Sequence, residues 1–259
     1  MTKSAAILVI GDEILSGRTQ DTNSGHIARV LGALGVALRE IRVVGDVETE
    51  IVAALNALRA TWDLVFTTGG IGPTHDDITA DAVARAFGVE IGYHPEAYRM
   101  LEARYQPGEF NDARKRMARI PHGAALIANP VSVAPGFHIG NVYVMAGVPM
   151  VMRAMLEEIV PQLPRGAPSI AVTIEAAVPE GTVAEGLAAI QKAEKDVAIG
   201  SYPFYRDSGQ GSPALGVQLV ARGRDADAVE RTAAAIEAML RDLGAAPQRI
   251  KQVVPGTHA

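Results

Sequence analysis

An apolar segment, Leu64-Val65-Phe66, runs directly into Thr67-Thr68-Gly69-Gly70-Ile71-Gly72-Pro73-Thr74-His75-Asp76-Asp77, and a helical stretch from Ile78 to Phe87 follows. Buried strand, glycine turn and helix start, in that order, restrict the chain to α/β folds. The geometry presents bare backbone N–H groups and a positive helix end to an anion. Gly69, Gly70 and Gly72 have no Cβ to hold a phosphate off that backbone. Asp76 and Asp77 follow, and carboxylates beside a phosphate site point to a divalent cation that bridges them to phosphate oxygens. The loop therefore reads as a nucleotide or pterin phosphate site with metal-assisted chemistry. Asp77, just before Ile78, is equally placed to be a helix N-cap, a structural role worth about 1 kcal/mol. Neither Gly-Lys-Ser/Thr nor the dinucleotide fingerprint is present, so generic motifs stop at phosphate binding.

The same alternation runs through the first 160 or so residues. Ala5 to Ile10 reads as a buried strand. Residues 23–34 read as a helix, with Ile27, Val30, Leu31 and Leu34 on one face and Gly35 as its stop. Leu38 to Val44 reads as a second strand, less buried because Arg39, Glu40 and Arg42 interrupt it. A helix is expected over 47–60. Val142 to Met145 forms a further strand that passes through Ala146-Gly147-Val148-Pro149 into a helix over about 150–160. The predicted fold is a three-layer α/β/α arrangement, a mostly parallel sheet with helices on both faces. Ligands of such sheets bind at the carboxyl ends of the strands, here Gly11-Asp12-Glu13, Gly69 to Asp77, and Gly147-Val148-Pro149.

From Gly88 to Gly140 the pattern loosens. A helix is expected over 95–105, and residues 111–119 carry Arg114, Lys115, Arg116 and Arg119. That basic cluster reads either as a closure over a phosphate or as a solvated helix face. Pro161-Gln162-Leu163-Pro164-Arg165-Gly166-Ala167-Pro168 is linker-like. Beyond it come a strand over 170–175, a helix over 182–192, strands over 197–201 and 215–222, and a helix over 225–243. This order predicts a smaller C-terminal α+β domain with a helix-backed antiparallel sheet. The expected division is residues 1–163, 168–250 and a frayed tail, 251–259.

Composition narrows the function classes. A net charge of −5 offers no basic surface for nucleic acid or an anionic membrane. The absence of cysteine removes disulfides, thiolate catalysis and Cys-ligated zinc. No signal-peptide pattern and no apolar run of about 20 residues is found. A soluble cytoplasmic protein is expected.

Several segments together resemble the MoaB/Mog-type molybdopterin-binding fold, and more closely its CinA branch (competence/damage-inducible protein A). Gly11-Asp12-Glu13-Ile14-Leu15-Ser16-Gly17 with Asp21-Thr22-Asn23 resembles that family's first strand end and helix start. Thr67 to Thr79 is similar to its T-G-G-x-G-P-T-x-D-D-x-T signature across its length. Asn129-Pro130, Ala134-Pro135-Gly136-Phe137 and Gly147-Val148-Pro149 resemble its later loops. The second domain, around Ile199-Gly200-Ser201-Tyr202-Pro203, resembles the segment after this domain in CinA proteins and the molybdopterin-binding-like region of FAD synthase. The chain ends before the amidohydrolase domain often found in CinA proteins, so deamidation of nicotinamide mononucleotide is not expected.

The resemblance implies one of two activities: binding or adenylylation of molybdopterin, or metal-dependent hydrolysis of a nucleotide diphosphate such as ADP-ribose or FAD. The aspartate pair and the second domain favour hydrolysis with release of AMP; a non-catalytic nucleotide- or pterin-binding module is the third reading. On the hydrolytic reading Asp77, Asp76, Asp46 and Glu13 are the catalytic candidates, and Asp77 and Asp46 would hold a divalent cation (Mg, Mn or Co). Thr68, Gly69, Gly70, Gly72, Thr74 and His75 would contact phosphate. Asp21, Asn23, Asn129, Gly147 and Pro149 are further substrate-binding candidates, and Asp21 and Asn23 also fit as caps of their helix. Asp46 fits equally as an N-cap of the 47–60 helix. Tyr202 and Arg206 are placed to reach a nucleotide base, or simply to build a hairpin. Two positions depart from the family pattern. Val151 stands where many CinA proteins carry an acidic residue, and Ser132 where a glycine is usual. The family also implies a homo-oligomer, a dimer most readily.

Overall fold

The computed structural model describes residues 2–206 and 214–250; the expected tail, 251–259, lies outside the described residues. The chain divides into two compact units, Met1–Gly166 and Ala167–Ala259.

The first unit begins with β1 (Ser4–Ile10), the short helix α1 (Asp12–Leu15), α2 (Asn23–Ala33), β2 (Ala37–Val44), α3 (Glu48–Thr61), β3 (Leu64–Thr68) and α4 (Thr79–Phe87). It continues with β4 (Ile91–Tyr93), α5 (Pro95–Glu102), α6 (Asp112–Arg116), β5 (Arg119–Pro121), β6 (Ala125–Ile127), β7 (Gly136–Ile139), β8 (Val142–Met145) and α7 (Pro149–Ile159). Six strands make one sheet in the order β2-β1-β3-β8-β7-β6. The first four run parallel, and β7 and β6 join antiparallel. Ala6, Leu8 and Ile10 of β1 pack with α3 and α4 on one face, while Ala5, Ile7 and Val9 pack with α2 and α7 on the other. A strand buried on both sides has no polar alternation, which is why β1 and β3 are continuous apolar runs. β2, with its charged residues, is an edge strand. The fold is the three-layer α/β/α expected.

The stretch from Gly88 to Gly140 is more ordered than its sequence pattern suggests. β4 and β5 form a separate antiparallel pair, and β6 and β7 extend the main sheet. Strands of three or four residues are too short to leave a period in the sequence. The expected 95–105 helix stops at Glu102, and the basic segment is helical only over Asp112–Arg116 before its chain turns into β5.

The second unit contains β9 (Ile170–Ala176), α8 (Glu180–Ala193), β10 (Ala198–Arg206), β11 (Ala214–Gly223), α9 (Ala226–Asp242) and β12 (Gln248–Ile250). Its sheet is antiparallel throughout, in the order β10-β11-β9-β12. Ile174, Ala176, Val217, Leu219 and Ala221 turn one face of it onto α8 and α9. β12, three residues long, is an addition to the expected order. Among the described residues no helix is long and apolar enough to cross a membrane.

Candidate active site

The carboxyl ends of β1, β2, β3 and β8 converge on the glycine loop. Gly69 continues the sheet, its N–H donating to the Met145 carbonyl at 3.2 Å. It adopts φ +105, and a Cβ there would run into the carbonyl oxygen of Ile10. Its N–H is therefore already spent: Gly69 serves close packing, not the phosphate donation expected of it. Gly70 adopts φ +67, and its carbonyl accepts the Thr79 N–H at 3.0 Å. The buried Thr79 hydroxyl donates to the Gly69 carbonyl at 3.0 Å, so Thr79 staples the loop to the start of α4. Sequence reasoning gave Thr79 no role, although it closes the quoted signature. The backbone N–H groups of Gly70, Ile71 and Gly72 donate to no protein group among the described residues.

Asp77 is not the N-cap of α4, a position held by Ile78 without a side-chain bond. Its carboxylate turns back instead. One oxygen, Oδ2, accepts both the Thr74 N–H, at 2.7 Å, and the Thr74 hydroxyl. The Thr74 hydroxyl is thus committed to Asp77, contrary to the phosphate contact expected of it. Oδ1 of Asp77 remains open. Asp76 is exposed, and His75 projects into solvent with 97% of its side chain accessible and lines none of the clefts around the loop. Thr68 is buried at the end of β3 and faces a small recess beside Asn23.

Asp46 likewise caps no helix, since Val47 precedes α3 without a side-chain bond. Its Oδ2 accepts the Asp12 N–H at 3.0 Å, and the Asp12 carboxylate accepts the Asp46 N–H at 3.4 Å. This reciprocal clamp joins the ends of β1 and β2. Burial raises the Asp46 pKa above the ordinary carboxylate range, and the negative charges of Asp12, Glu13 and Asp76 push the same way, against the Asp12 N–H bond. The folded state therefore holds this proton more tightly than the unfolded chain does. Stability is lost as pH rises from the ordinary value of 3.8 through the raised one. Asp46→Asn keeps an acceptor for the Asp12 N–H and removes the charge. It is expected to raise Tm at pH 7, with the gain vanishing below about pH 3.8, in paired thermal melts of the two proteins across that range.

Two adjoining clefts meet at the loop. One, of about 410 Å³, is acidic: Glu13, Asp46, Asp76 and Asp77 line it with Gly70 and one cation, Arg18. The other, of about 500 Å³, has Gly69 to Gly72 on one side and an apolar wall of Met117, Val148, Pro149, Val151 and Met155. Glu13, Thr19, Gly70 and Asp77 belong to both. The Glu13 carboxylate lies against Gly11, in the space a side chain there would take. The structure thus brings Asp77, Asp76, Asp46 and Glu13 to one cleft with Gly70, while Ile71 and Gly72 line the adjoining cleft with Glu13 and Asp77. Among the described residues no three His, Cys, Asp or Glu side chains converge closely enough to hold a metal ion by themselves.

The remaining candidates build the walls. Asp21 accepts the N–H groups of Asn23 and Ser24 at 2.9 and 3.1 Å, capping α2. Asn23 donates to the Gly147 carbonyl at 2.7 Å and so fixes the turn into α7, which Pro149 opens as its first residue. Asn129 spends its side chain on its own loop, donating to Ser132 Oγ and the Ala134 carbonyl and accepting from the N–H groups of Val131 and Ser132. The left-handed residue of that loop is Val133, at φ +71, immediately after Ser132. Val151 is buried in the apolar wall.

The basic cluster divides. Arg119 is paired with Asp81, Lys115 with Asp112, and Arg114 with the Glu109 carbonyl and the Tyr105 ring. Arg116 donates to the Asp77 carbonyl at 3.3 Å, and both Arg116 and the Asp81-paired Arg119 line a small recess with Gly70, Ile71 and Gly72. Arg18, which sequence reasoning passed over, makes no hydrogen bond or ion pair among the described residues. Its signal was its place inside the quoted Gly11-to-Asn23 segment. In the second unit Arg206 is held by Glu175 and stacks on Phe204, while Tyr202 is exposed.

A strand-end glycine loop open to an anion, on a MoaB/Mog-like α/β sheet, defines the class. Residues 6–165 match the family model described as a probable molybdopterin binding domain, and residues 168–248 match that of the FAD synthase middle domain. A protein of Pyrobaculum arsenaticum is 37% identical over 228 residues, 84% of this chain and 85% of its own. A CinA-like protein of Citrifermentans bemidjiense is 41% identical over 201 residues, which are 68% of this chain and 48% of that protein. This chain therefore matches about half the length of that relative. The crystal structure of CinA from Thermoplasma acidophilum, a protein of unknown function, superposes with a TM-score of 0.59 at 34% identity, over 62% of this chain and 98% of that one. The chain belongs to the CinA family, with a MoaB/Mog-type domain as its first unit.

Proposed function

We propose that the chain is a metal-dependent hydrolase of nucleotide diphosphates that cleaves the P–O–P bridge of ADP-ribose, FAD or a similar molecule and releases AMP. The observation that carries the reading is the meeting of the open Gly70 N–H with four carboxylates in one cleft, beside an adjoining cleft that shares Gly70, Glu13 and Asp77 and holds the open Ile71 and Gly72 N–H groups. Holding a phosphate calls for the N–H groups alone; a cluster of negative charge beside them only repels the ligand unless a cation intervenes. The FAD synthase likeness of the second unit agrees with a substrate of this kind.

The donor set suits a shared cation. Asp77 and Asp46 each have one carboxylate oxygen outside their protein hydrogen bonds, and Mg²⁺, Mn²⁺ or Co²⁺ would take the rest of its shell from water and substrate phosphates. When bound, such an ion neutralises phosphate charge and makes water a better nucleophile. The N–H groups of the loop would hold one phosphate, with Arg18 facing the other across the acidic cleft. Water attacks one phosphorus, a P–O bond forms, and the bridging oxygen leaves with the other phosphate and the bond pair. Glu13 accepts the water's proton on its carboxylate. The apolar wall, Val151 among its residues, would exclude water from a flat ring. The partners are thus small nucleotide or pterin phosphates in a cytoplasmic setting.

The test is AMP release from ADP-ribose, FAD, NAD and ATP with Mg²⁺, Mn²⁺ or Co²⁺. AMP from ADP-ribose or FAD, abolished by EDTA, is the expected result. A folded protein silent across the panel would sink the reading. The match to a probable molybdopterin binding domain favours the second reading, a pterin-phosphate binder or adenylyltransferase. Tight binding of a pterin phosphate by the silent protein would establish that one, and a non-catalytic module if ATP also leaves the pterin unchanged.

A further inference from the structure

β2 is eight residues long, pairs only with β1, and leaves its outer backbone groups without a partner among the described residues. Long free edges are templates for another strand, and proteins blunt them with charged side chains, proline, brevity or bulges; the charges of β2 are of both signs, Arg39 and Arg42 with Glu40. Here there is no proline, and the one register irregularity, near Arg39, leaves Glu40 to Val44 regular. The edge also exposes apolar side chains. Ile41 is 47% exposed and Val43 38%, with exposed Leu15 and Val47 at its end.

We propose that this edge pairs with the β2 edge of a second copy of the chain, antiparallel about a two-fold axis through Ile41. A two-fold axis normal to the sheet keeps each side chain on its own face, so the axis must pass through a residue and not between two. Centring on Glu40, Arg42 or Arg39 sets like charges directly opposite each other, which destabilises a sheet. Centring on Ile41 sets Glu40 against the partner's Arg42 and Arg42 against the partner's Glu40. It brings the two Ile41 side chains together and lays Arg39 beside the partner's Val43. Glu40 and Arg42 already pair within the chain, so they are arranged to close a four-charge cluster across the axis.

The chain has no cysteine, so Ile41→Cys adds its only thiol. Opposed residues of an antiparallel pair lie about 4.5–5.5 Å apart at Cα, within disulfide range. Mild oxidation should cross-link Ile41→Cys almost completely and leave an exposed control, Arg104→Cys, as monomers on a denaturing gel. Sedimentation should show a dimer for the parent, a monomer for Glu40→Arg, and a dimer again for Glu40→Arg with Arg42→Glu. Circular dichroism checks that each variant is folded, and the double variant guards against loss of the Glu40 bond to Trp62 as the cause. A parent that is monomeric at tens of micromolar overturns the proposal. So does a dimer whose Ile41→Cys variant fails to cross-link, or whose Glu40→Arg variant stays dimeric.

Discussion

Asp77→Asn is expected to keep its hold on the phosphate moiety and to lose turnover by about 10²–10³-fold, the usual cost of removing one charge-stabilising group from an active site. The loop's own hydrogen bonds make this a clean substitution. Both Thr74 donors, the N–H and the hydroxyl, go to one oxygen of Asp77. An asparagine must therefore turn its carbonyl to Thr74 and leave its amide NH₂ where Oδ1 now faces the cleft. The loop keeps its acceptor, and the Gly70, Ile71 and Gly72 N–H groups keep their direction. What is lost is a negative oxygen at the site proposed for the cation, replaced by a donor that repels one. Asp77→Ala would confuse the two effects by freeing the loop. The measurement is kcat/KM for AMP release beside calorimetric titration of the same ligand. Parent-like turnover in Asp77→Asn would remove Asp77 from the chemistry; loss of binding along with turnover would make it a structural residue of the loop.

The parts of this architecture legible in the sequence are those whose physics is local or periodic. β1 and β3 show as apolar runs because both faces of the sheet are covered, and β2 betrays its edge position through Arg39, Glu40 and Arg42. The glycine loop announces itself because positive φ at Gly69 and Gly70 admits few other residues. What stayed hidden depends on direction and distance. β6, β7 and β12 are too short to carry a period. Asp77 and Asp46 both sit where an N-cap would sit, and only the turn of each carboxylate, toward Thr74 or Asp12, separates a cap from a cleft residue. Likewise the sequence shows four basic residues between Arg114 and Arg119 as equals, while tertiary pairing ties Arg119 to Asp81 and Lys115 to Asp112, stacks Arg114 on Tyr105 and aims Arg116 at the Asp77 carbonyl.

Gly69→Ala should be the most destabilising single methyl in the first unit, at about 3 kcal/mol, lowering its Tm by about 6–12 °C. Strain is the smaller share. A φ of +105 is costly for alanine, but the new Cβ must also occupy the place of the Ile10 carbonyl oxygen, a backbone atom of β1 that cannot swing aside. Gly69 cannot move instead. Its N–H is bound to Met145, its carbonyl to the Thr79 hydroxyl, and Gly147 packs against its Cα. Gly17→Ala is the control, because Gly17 also has a positive φ, +72, yet a Cβ there would meet nothing within 4 Å. That variant should cost only the left-handed strain, about 1–2 kcal/mol. The single tryptophan, Trp62, lies in the first unit, so its fluorescence during denaturant unfolding reports that unit by itself. Equal losses in the two variants would mean that conformation alone, and no close approach of β1 and β3 at their carboxyl ends, requires glycine at position 69. A loss confined to Gly69→Ala would tie the phosphate loop's shape to the packing of the sheet beneath it.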